Sequence, residues 1–357
     1  MNWAVVMAGG PGTRFWPESR GRRPKPFLRL LGERTLIEET VCRLQPLFPP
    51  RRILLVIQES LVKEAKRLLP EIPRENILGE PVSRNTAPCC VWAAARIAVR
   101  DPEAKIVFLP SDQYIPEKSL YLKTLKAALA LAGDQPVLLG LRPDSPNPSY
   151  GYLEVARKRK AGGGLSVFRV VRFCEKPSAA RAKQFLKKGN FFWNGGTFAW
   201  RLGAFKEAIR VHLPELYPAF GKLGSAKSRA SLLAKLYRRF PSISLDYGVM
   251  EKTKNALCLL APFWWSDLGG WLGLAEFWPV DARKNRVWGE KREARPLLIE
   301  SRGNIVRANK RLIALLGVQD LLVVDTADAL LICPKSETEQ IRKVVRELEK
   351  RKADKYL

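Results

Sequence analysis

"NWAVVMAGGPGTRFWPESRGRRPKPF", residues 2–27, sets a short apolar run directly ahead of a loop rich in glycine and cations. The run predicts a β-strand over residues 3–8. In the loop, Gly9, Gly10 and Gly12 let the backbone take positive φ and bring bare N–H groups close to a ligand, while Arg14 and Lys25 add charge at the same mouth. The spacing is neither a P-loop nor a clean GxGxxG, which sets aside those two generic nucleotide loops. A plain strand-to-helix turn accounts for the glycines taken alone, but not for the "TRFWPESR" and "RPKPF" that accompany them.

Working outward, residues 53–57 ("ILLVI"), 105–109 ("KIVFL") and 137–141 ("VLLGL") are further β-rich runs, separated by helix-like stretches such as 60–69 and 119–132. That alternation predicts an α/β fold with a mostly parallel sheet covered by helices on both faces. Such sheets bind ligands at the carboxyl ends of their strands, where residues 9–25 would fall. From about 150 to 275 the pattern is mixed, with short strands in "YGYLEV", "VFRVVRF" and "GTFAW" and helices at 178–188 and 203–211. A charged link at 279–297 leads to residues 303–334, which read as four short strands in a separately packed β unit, closed by an amphipathic helix at 336–352. The expected domains are 1–278 and 279–357, and no repeat of fixed long period is evident.

Composition narrows the functional classes. Across 357 residues, 62 Lys and Arg face 35 Asp and Glu, a formal net charge of +27. Such a field attracts polyanions: nucleic acid, acidic membranes, or nucleotide and sugar phosphates. The charge is spread through "RGRRPKP", "RKRK", "KREAR" and "EKRKADKYL", and the last three read as solvated surface. The six cysteines form no CxxC pair, which favours buried reduced thiols over a zinc site or disulfide framework. His212 is the single histidine, and its scarcity excludes histidine triads and imidazole-rich metal sites. No run approaches the ~18 uninterrupted apolar residues of a membrane span, and the N-terminus has no basic leader, so the reading is a cytoplasmic protein without a membrane partner.

The segment "GGPGTRFWPESR" followed by "RPKPF" resembles the signature of the sugar-phosphate nucleotidyltransferases, and its Trp16-Pro17 form is similar to their mannose-1-phosphate guanylyltransferase branch. Further blocks follow in that family's order: "EPVSRNTAP" (80–88), "LPSDQYI" (109–115), "YGYLE" (150–154), "FCEKP" (173–177), "WNGGTFAW" (193–200), "LDYGVMEK" (245–252), "WSDLGGW" (265–271) and "IALLGVQDLLVVDTADALL" (313–331). The resemblance implies a Rossmann-like three-layer nucleotidyltransferase domain with a mixed, mainly parallel sheet, plus a short β-helix-like C-terminal unit and terminal helix. It also implies transfer of GMP from GTP to α-D-mannose 1-phosphate, by direct in-line attack with a divalent metal.

Joining two highly charged anions demands positioning and electrostatic compensation. The glycine loop with Thr13, Arg14 and Lys25 suits the triphosphate, and Lys25 can follow charge developing on the departing pyrophosphate. Asp112, just after the strand 105–109, and Asp267, ahead of "LGGW", offer two hard oxygen ligands for Mg²⁺ or another divalent cation. Alone, Asp112 reads equally as a cap or turn residue. Glu175 can accept sugar hydroxyls and Lys176 can hold the sugar phosphate, although an exposed ion pair at a strand end is the plain alternative. Gly151, Asn194 and Gly196 resemble sugar-pocket positions, whereas Trp193 and Trp200 read as core. The resemblance implies that Glu80, Asn85, Thr86 and the backbone near Ala8 face the guanine, and Asn85 or Thr86 could equally be caps.

Two departures from the family pattern stand out. Gln113 occupies the place of a usual histidine and cannot carry a proton at neutral pH, which argues against acid-base work there; "WNGGTF" replaces "WNSGMF", so sugar tolerance is expected to differ. The expected partners are GTP and mannose 1-phosphate, with a homodimer left open. Competing readings are another hexose 1-phosphate or nucleotide, a basic nucleic-acid-binding protein, and a silent sugar-nucleotide sensor.

Overall fold

The computed structural model of the chain describes residues 1–10, 12–160, 164–224, 230–289 and 296–357. Two compact units divide it: one gathers Met1–Gly9, Thr40–Ser111 and Ile115–Trp265, the other Gly10–Glu39, Asp112–Tyr114 and Ser266–Leu357.

In the first unit, β1 (Asn2–Ala8), β2 (Ile53–Gln58), β3 (Ile77–Glu80), β4 (Lys105–Pro110), β5 (Val137–Leu141), β6 (Tyr152–Lys160), β7 (Ser166–Cys174), β8 (Phe191–Arg201) and β9 (Leu257–Leu260) form one mixed sheet. Its order is β3-β2-β1-β4-β8-β5-β9-β7-β6. β1 runs parallel between β2 and β4, with Ala4 opposite both Ile53 and Val107. Val5, Val6, Leu54–Ile57, Val107 and Phe108 are wholly buried, which explains why these strands read as continuous apolar runs rather than alternating ones. Parallel pairing is confined to β3-β2-β1-β4 and β5-β9, while β8 is antiparallel to β4, β5 and β6. Strand order reverses between β1 and β4, the switch point at which open α/β sheets bind ligands. Just past both strand ends, the Ser111 N–H donates to the Met7 carbonyl at 3.1 Å.

The helix Thr86–Arg100 is buried from Ala87 through Ile97, and its alanines and cysteines let it pack closely in the core with Trp3, Leu54, Val56 and Phe220. The expected helices at 178–188 and 203–211 are Ala179–Lys188, capped by Ser178, and Leu202–His212, which His212 closes. Trp193 and Trp200 are buried, and all six cysteines are free thiols. Among the described residues, no helix is long and apolar enough to cross a membrane.

In the second unit, β10 (Arg286–Gly289), β11 (Leu297–Ile299), β12 (Ile305–Ala308), β13 (Ala314–Leu316), β14 (Leu321–Asp325) and β15 (Leu330–Pro334) follow one another. β10, β12 and β14 pair in parallel, as do β11 and β13, with β15 antiparallel on β14. This is a short β-helix whose turns advance unevenly, by 17 to 19 residues, so no fixed period shows in the sequence. Buried Asn285 and Asn304 stack on successive turns: the Asn304 main-chain and side-chain N–H groups donate to Asn285 Oδ1, and Asn304 Oδ1 accepts from the Leu321 N–H. Within the expected link at 279–297, residues 286–289 form β10, whereas residues 290–295, including all of "KREAR", lie outside the described residues.

The β unit does not pack separately as expected. Ile305, Leu322, Val324, Ile341 and Val345 share one core with Phe15, Trp16, Leu28, Leu268 and Trp271. Aromatic side chains of the N-terminal loop are therefore part of what the β-helix buries. The Trp16 indole N–H donates to the Tyr356 carbonyl at 2.9 Å, and Arg307 pairs with Glu18 at 2.6 Å. A 3₁₀ turn, Lys335–Gln340, precedes the terminal helix Ile341–Lys350, which buries Ile341 and Val345.

Candidate active site

Separated segments of the second unit line one cavity of about 690 Å³, and they bring together Gly12, Thr13, Arg14, Lys25, Asp112 and Asp267. Gly12 adopts φ 62°, and a Cβ there would lie 2.6 Å from Lys25 Cβ, so only glycine lets the loop close on the lysine. Lys25 is buried; its Nζ donates to Asp112 Oδ2 at 2.8 Å and to the Asp267 main-chain carbonyl. Arg14 Nη1 donates to the Gly269 carbonyl at 2.9 Å, and its Nε lies 3.6 Å from Glu339. The Ser19 hydroxyl holds the loop by donating to the Gly12 carbonyl at 2.7 Å. Cations and carboxylates both line this cavity, which suits a polyphosphate whose charge a divalent ion helps to offset. Gly10, at φ 94°, belongs to the same loop, while Ala8 and Gly9 lie at the end of β1 in the first unit. Gln113, next to Asp112, is buried.

Of the residues expected on the sugar-phosphate side, Gly151, Glu175, Lys176, Asn194 and Gly196 belong to the first unit, whereas Asp267 belongs to the second. Asn194, on β8, donates from Nδ2 to Asp246 Oδ1 at 2.9 Å and accepts at Oδ1 from the Gly196 N–H. Its own N–H donates to the Gly151 carbonyl at 2.8 Å. A Cβ on Gly151 would lie 2.4 Å from Glu175 Oε2, so this glycine makes room for the carboxylate. Glu175 follows β7; its Oε1 pairs with Lys176, its Oε2 is buried without a hydrogen-bond partner, and its N–H donates to Glu251 Oε1. A buried carboxylate oxygen with no donor suits the hydroxyl of a ligand. Burial, with the charge of Glu175, pushes the Asp246 carboxyl up to about 6. Burial pulls the Lys176 ammonium down, but its pairing with Glu175 outweighs this and holds it above the usual lysine range.

Glu80, Asn85 and Thr86 lie where β3 hands over to the helix Thr86–Arg100. Asn85 is that helix's N-cap, accepting from the Thr86 N–H at 2.9 Å, and the Thr86 hydroxyl accepts from the Leu245 N–H at 2.9 Å. Both side chains thus do the capping and tethering that their types allow. Thr86 thereby fixes the short helix Leu245–Gly248, which carries Asp246. Glu80 is buried, and burial pushes its carboxyl up to about 7 against the pull of the Tyr237 hydroxyl.

The family model for nucleotidyl transferases matches residues 3–283. The chain belongs to the nucleotidyl transferase family. A second model, for the MannoseP isomerase/GMP-like beta-helix domain, matches residues 294–348. The mannose-1-phosphate guanylyltransferase of Escherichia coli K12 is 31% identical over 355 residues, spanning 97% of this chain and 73% of the relative. The alginate biosynthesis protein AlgA of Pseudomonas aeruginosa is 31% identical over 357 residues, spanning 97% and 72%. The crystal structure described as mannose-1-phosphate geranyltransferase from Thermus thermophilus superposes with a TM-score of 0.87 at 36% identity, covering 98% of this chain and 99% of that one. In this nucleotidyltransferase the mixed sheet and the C-terminal β-helix expected from the resemblance are both present.

Some residues at these sites have no role in the sequence analysis. Asp246 and Glu251 lie within the "LDYGVMEK" block but received no role, and their positions show only once β8 and β7 are folded against it. Arg342 and Arg346 line the cavity of Gly12, Lys25 and Asp112 from the terminal helix. Their signal was the amphipathic pattern itself, since they flank buried Val345 one helical turn apart.

Proposed function

We propose that the chain transfers the GMP unit of GTP to α-D-mannose 1-phosphate, giving GDP-mannose and pyrophosphate. The observation that carries this reading is the cavity in which Gly12, Arg14, Lys25, Asp112 and Asp267 come together. Relatives named for mannose-1-phosphate guanylyltransferase, matched over nearly the whole chain, support the choice of substrates.

Main-chain N–H groups of the glycine loop and the Arg14 guanidinium hold the triphosphate. An oxygen of the mannose 1-phosphate forms a bond to the α-phosphorus as the bond to the β-bridging oxygen breaks, and pyrophosphate leaves with that electron pair. Lys25 stabilises the charge that builds on the leaving group. The attacking phosphate is already ionised, so a glutamine at 113 meets the needs of the step. Glu175 and Asn194 take hexose hydroxyls and Lys176 takes the sugar phosphate, with Asp246 orienting the Asn194 amide. The segment Glu80–Thr86 and the backbone at Ala8 take the guanine.

Asp112 and Asp267 present two hard oxygen donors to one cavity, a set that fits Mg²⁺ together with phosphate oxygens and water. Such an ion, when bound, offsets phosphate charge and polarises the α-phosphate.

A pyrophosphate-release assay pairing GTP, ATP, UTP and dTTP with mannose 1-phosphate and glucose 1-phosphate tests the assignment. Highest kcat/KM for GTP with mannose 1-phosphate supports it. A clear preference for another pair assigns the same chemistry to different substrates.

A further inference from the structure

We infer that the terminal helix belongs to the nucleotide site, with Arg342 and Arg346 gripping the β- and γ-phosphates of the triphosphate and the pyrophosphate that leaves. This rests on the nucleotidyl-transfer reading above and adds binding residues from a part of the chain that reading does not use.

Placement comes first. Ile341 and Val345 are buried in the same core as Phe15, which seats the terminal helix on the 3₁₀ turn Thr13–Phe15 that carries Arg14. Arg342 and Arg346 each follow one of these anchors by one residue, and their four-residue spacing stacks them on one side of the helix. Both line the cavity that also holds Arg14, Lys25, Asp112 and Asp267. From the turn before the helix, Glu339 reaches Arg14 Nε at 3.6 Å, so the two segments already meet at the arginine of the glycine loop.

Charge supplies the second strand. A triphosphate brings several negative charges, yet Lys25 is already paired with Asp112, and Arg14 with Glu339 and the Gly269 carbonyl. Arg342 and Arg346 are exposed and, among the described residues, make no ion pair. The helix adds one carboxylate to the lining, Glu349, against these two guanidinium groups. A guanidinium fork matches phosphate oxygens in pairs, which a lysine at the same place would not do. The shared core then has a functional consequence: the β-helix and its closing helix hold cations over the polyphosphate rather than merely capping the fold.

The test compares the full chain with Arg342→Gln, Arg346→Gln and, as a matched loss of charge on the same helix away from the cavity, Lys343→Gln. Steady-state assays read KM for GTP, KM for mannose 1-phosphate and the inhibition constant of pyrophosphate, with circular dichroism checking the fold. Each arginine variant is expected to raise KM for GTP and weaken pyrophosphate inhibition together, by roughly tenfold, as loss of a charge-assisted hydrogen bond implies. KM for mannose 1-phosphate stays within about twofold, and Lys343→Gln behaves as wild type. Unchanged GTP and pyrophosphate constants in an active, folded arginine variant overturn the inference, as does an equal effect from Lys343→Gln. A wild-type protein that turns over no nucleotide with any hexose 1-phosphate overturns the underlying reading and the inference with it.

Discussion

Lys25 and Asp112, 87 positions apart, meet at 2.8 Å between Nζ and Oδ2, while the same ammonium donates to the Asp267 carbonyl. One lysine thus ties the glycine loop to both segments that carry the cavity's carboxylates. Lys25→Ala removes the cation and leaves Asp112 without its partner, so kcat at saturating substrates is expected to fall by roughly 10²- to 10³-fold. Lys25→Arg recovers little, because a planar fork does not fit a site built around a point charge. An alanine variant within about twofold of wild type would remove Lys25 from the chemistry.

Gly12 and Gly9 separate the structural from the incidental glycine. Gly12→Ala meets Lys25 Cβ at 2.6 Å and Lys25 N at 2.9 Å in a left-handed backbone, whereas a Cβ on Gly9 meets nothing within 4 Å. Denaturant titration is expected to show a loss of about 2–4 kcal/mol for Gly12→Ala. For Gly9→Ala the change stays within about 0.5 kcal/mol. Equal losses would show that the loop's conformation does not depend on the approach of Lys25.

Asn194 links β8 to Asp246, and Asp246 sits on a short helix that Thr86 tethers from the β3 side. Asn194→Ala takes away the amide proposed to face the hexose and the donor that helps keep Asp246 ionised. KM for mannose 1-phosphate is expected to rise roughly tenfold while KM for GTP changes little. A rise confined to GTP would move Asn194 to the nucleotide side.

Glu80 gives stability a pH dependence whose sign is fixed. Its folded-state pKa, about 7, lies above the ordinary 4.5, so between these values the folded protein holds more protons than the unfolded chain. Stability from this group is therefore full at low pH and falls as pH rises from about 4.5 to 7. Glu80→Gln removes the titration, and relative to wild type it is expected to be more favourable at pH 8 than at pH 4, by roughly 3 kcal/mol in unfolding free energy. A variant effect of the same size at both pH values would contradict the raised pKa.

Much of this architecture could be read directly from the chain, because the strands around β1 are covered on both faces and their burial shows as unbroken apolar runs. Two carboxylates singled out in the sequence, Asp112 two residues past a strand end and Asp267 ahead of a glycine pair, line one cavity. What sequence reasoning missed depends on distant packing. Phe15 and Trp16 read as parts of a phosphate loop, yet they complete the core of a β-helix far along the chain. The β-helix itself was expected from the resemblance, but its turns of unequal length leave no period to read, and the Asn285–Asn304 stack between its turns involves residue types that otherwise read as loop. Arg342 and Arg346 fall within the expected amphipathic helix, but nothing local shows that Val345 packs toward Phe15 and so where the two arginines lie.

The central claim is that cationic and main-chain donors, with two carboxylates for a divalent ion, form the polyphosphate site lined by Gly12, Arg14, Lys25, Asp112 and Asp267. Pyrophosphate release from GTP and mannose 1-phosphate with Mg²⁺, measured for wild type beside Asp267→Ala, tests it most directly. Brisk turnover by wild type with a loss of at least roughly 10²-fold in the variant is the expected result. Equal rates from the two proteins would contradict it.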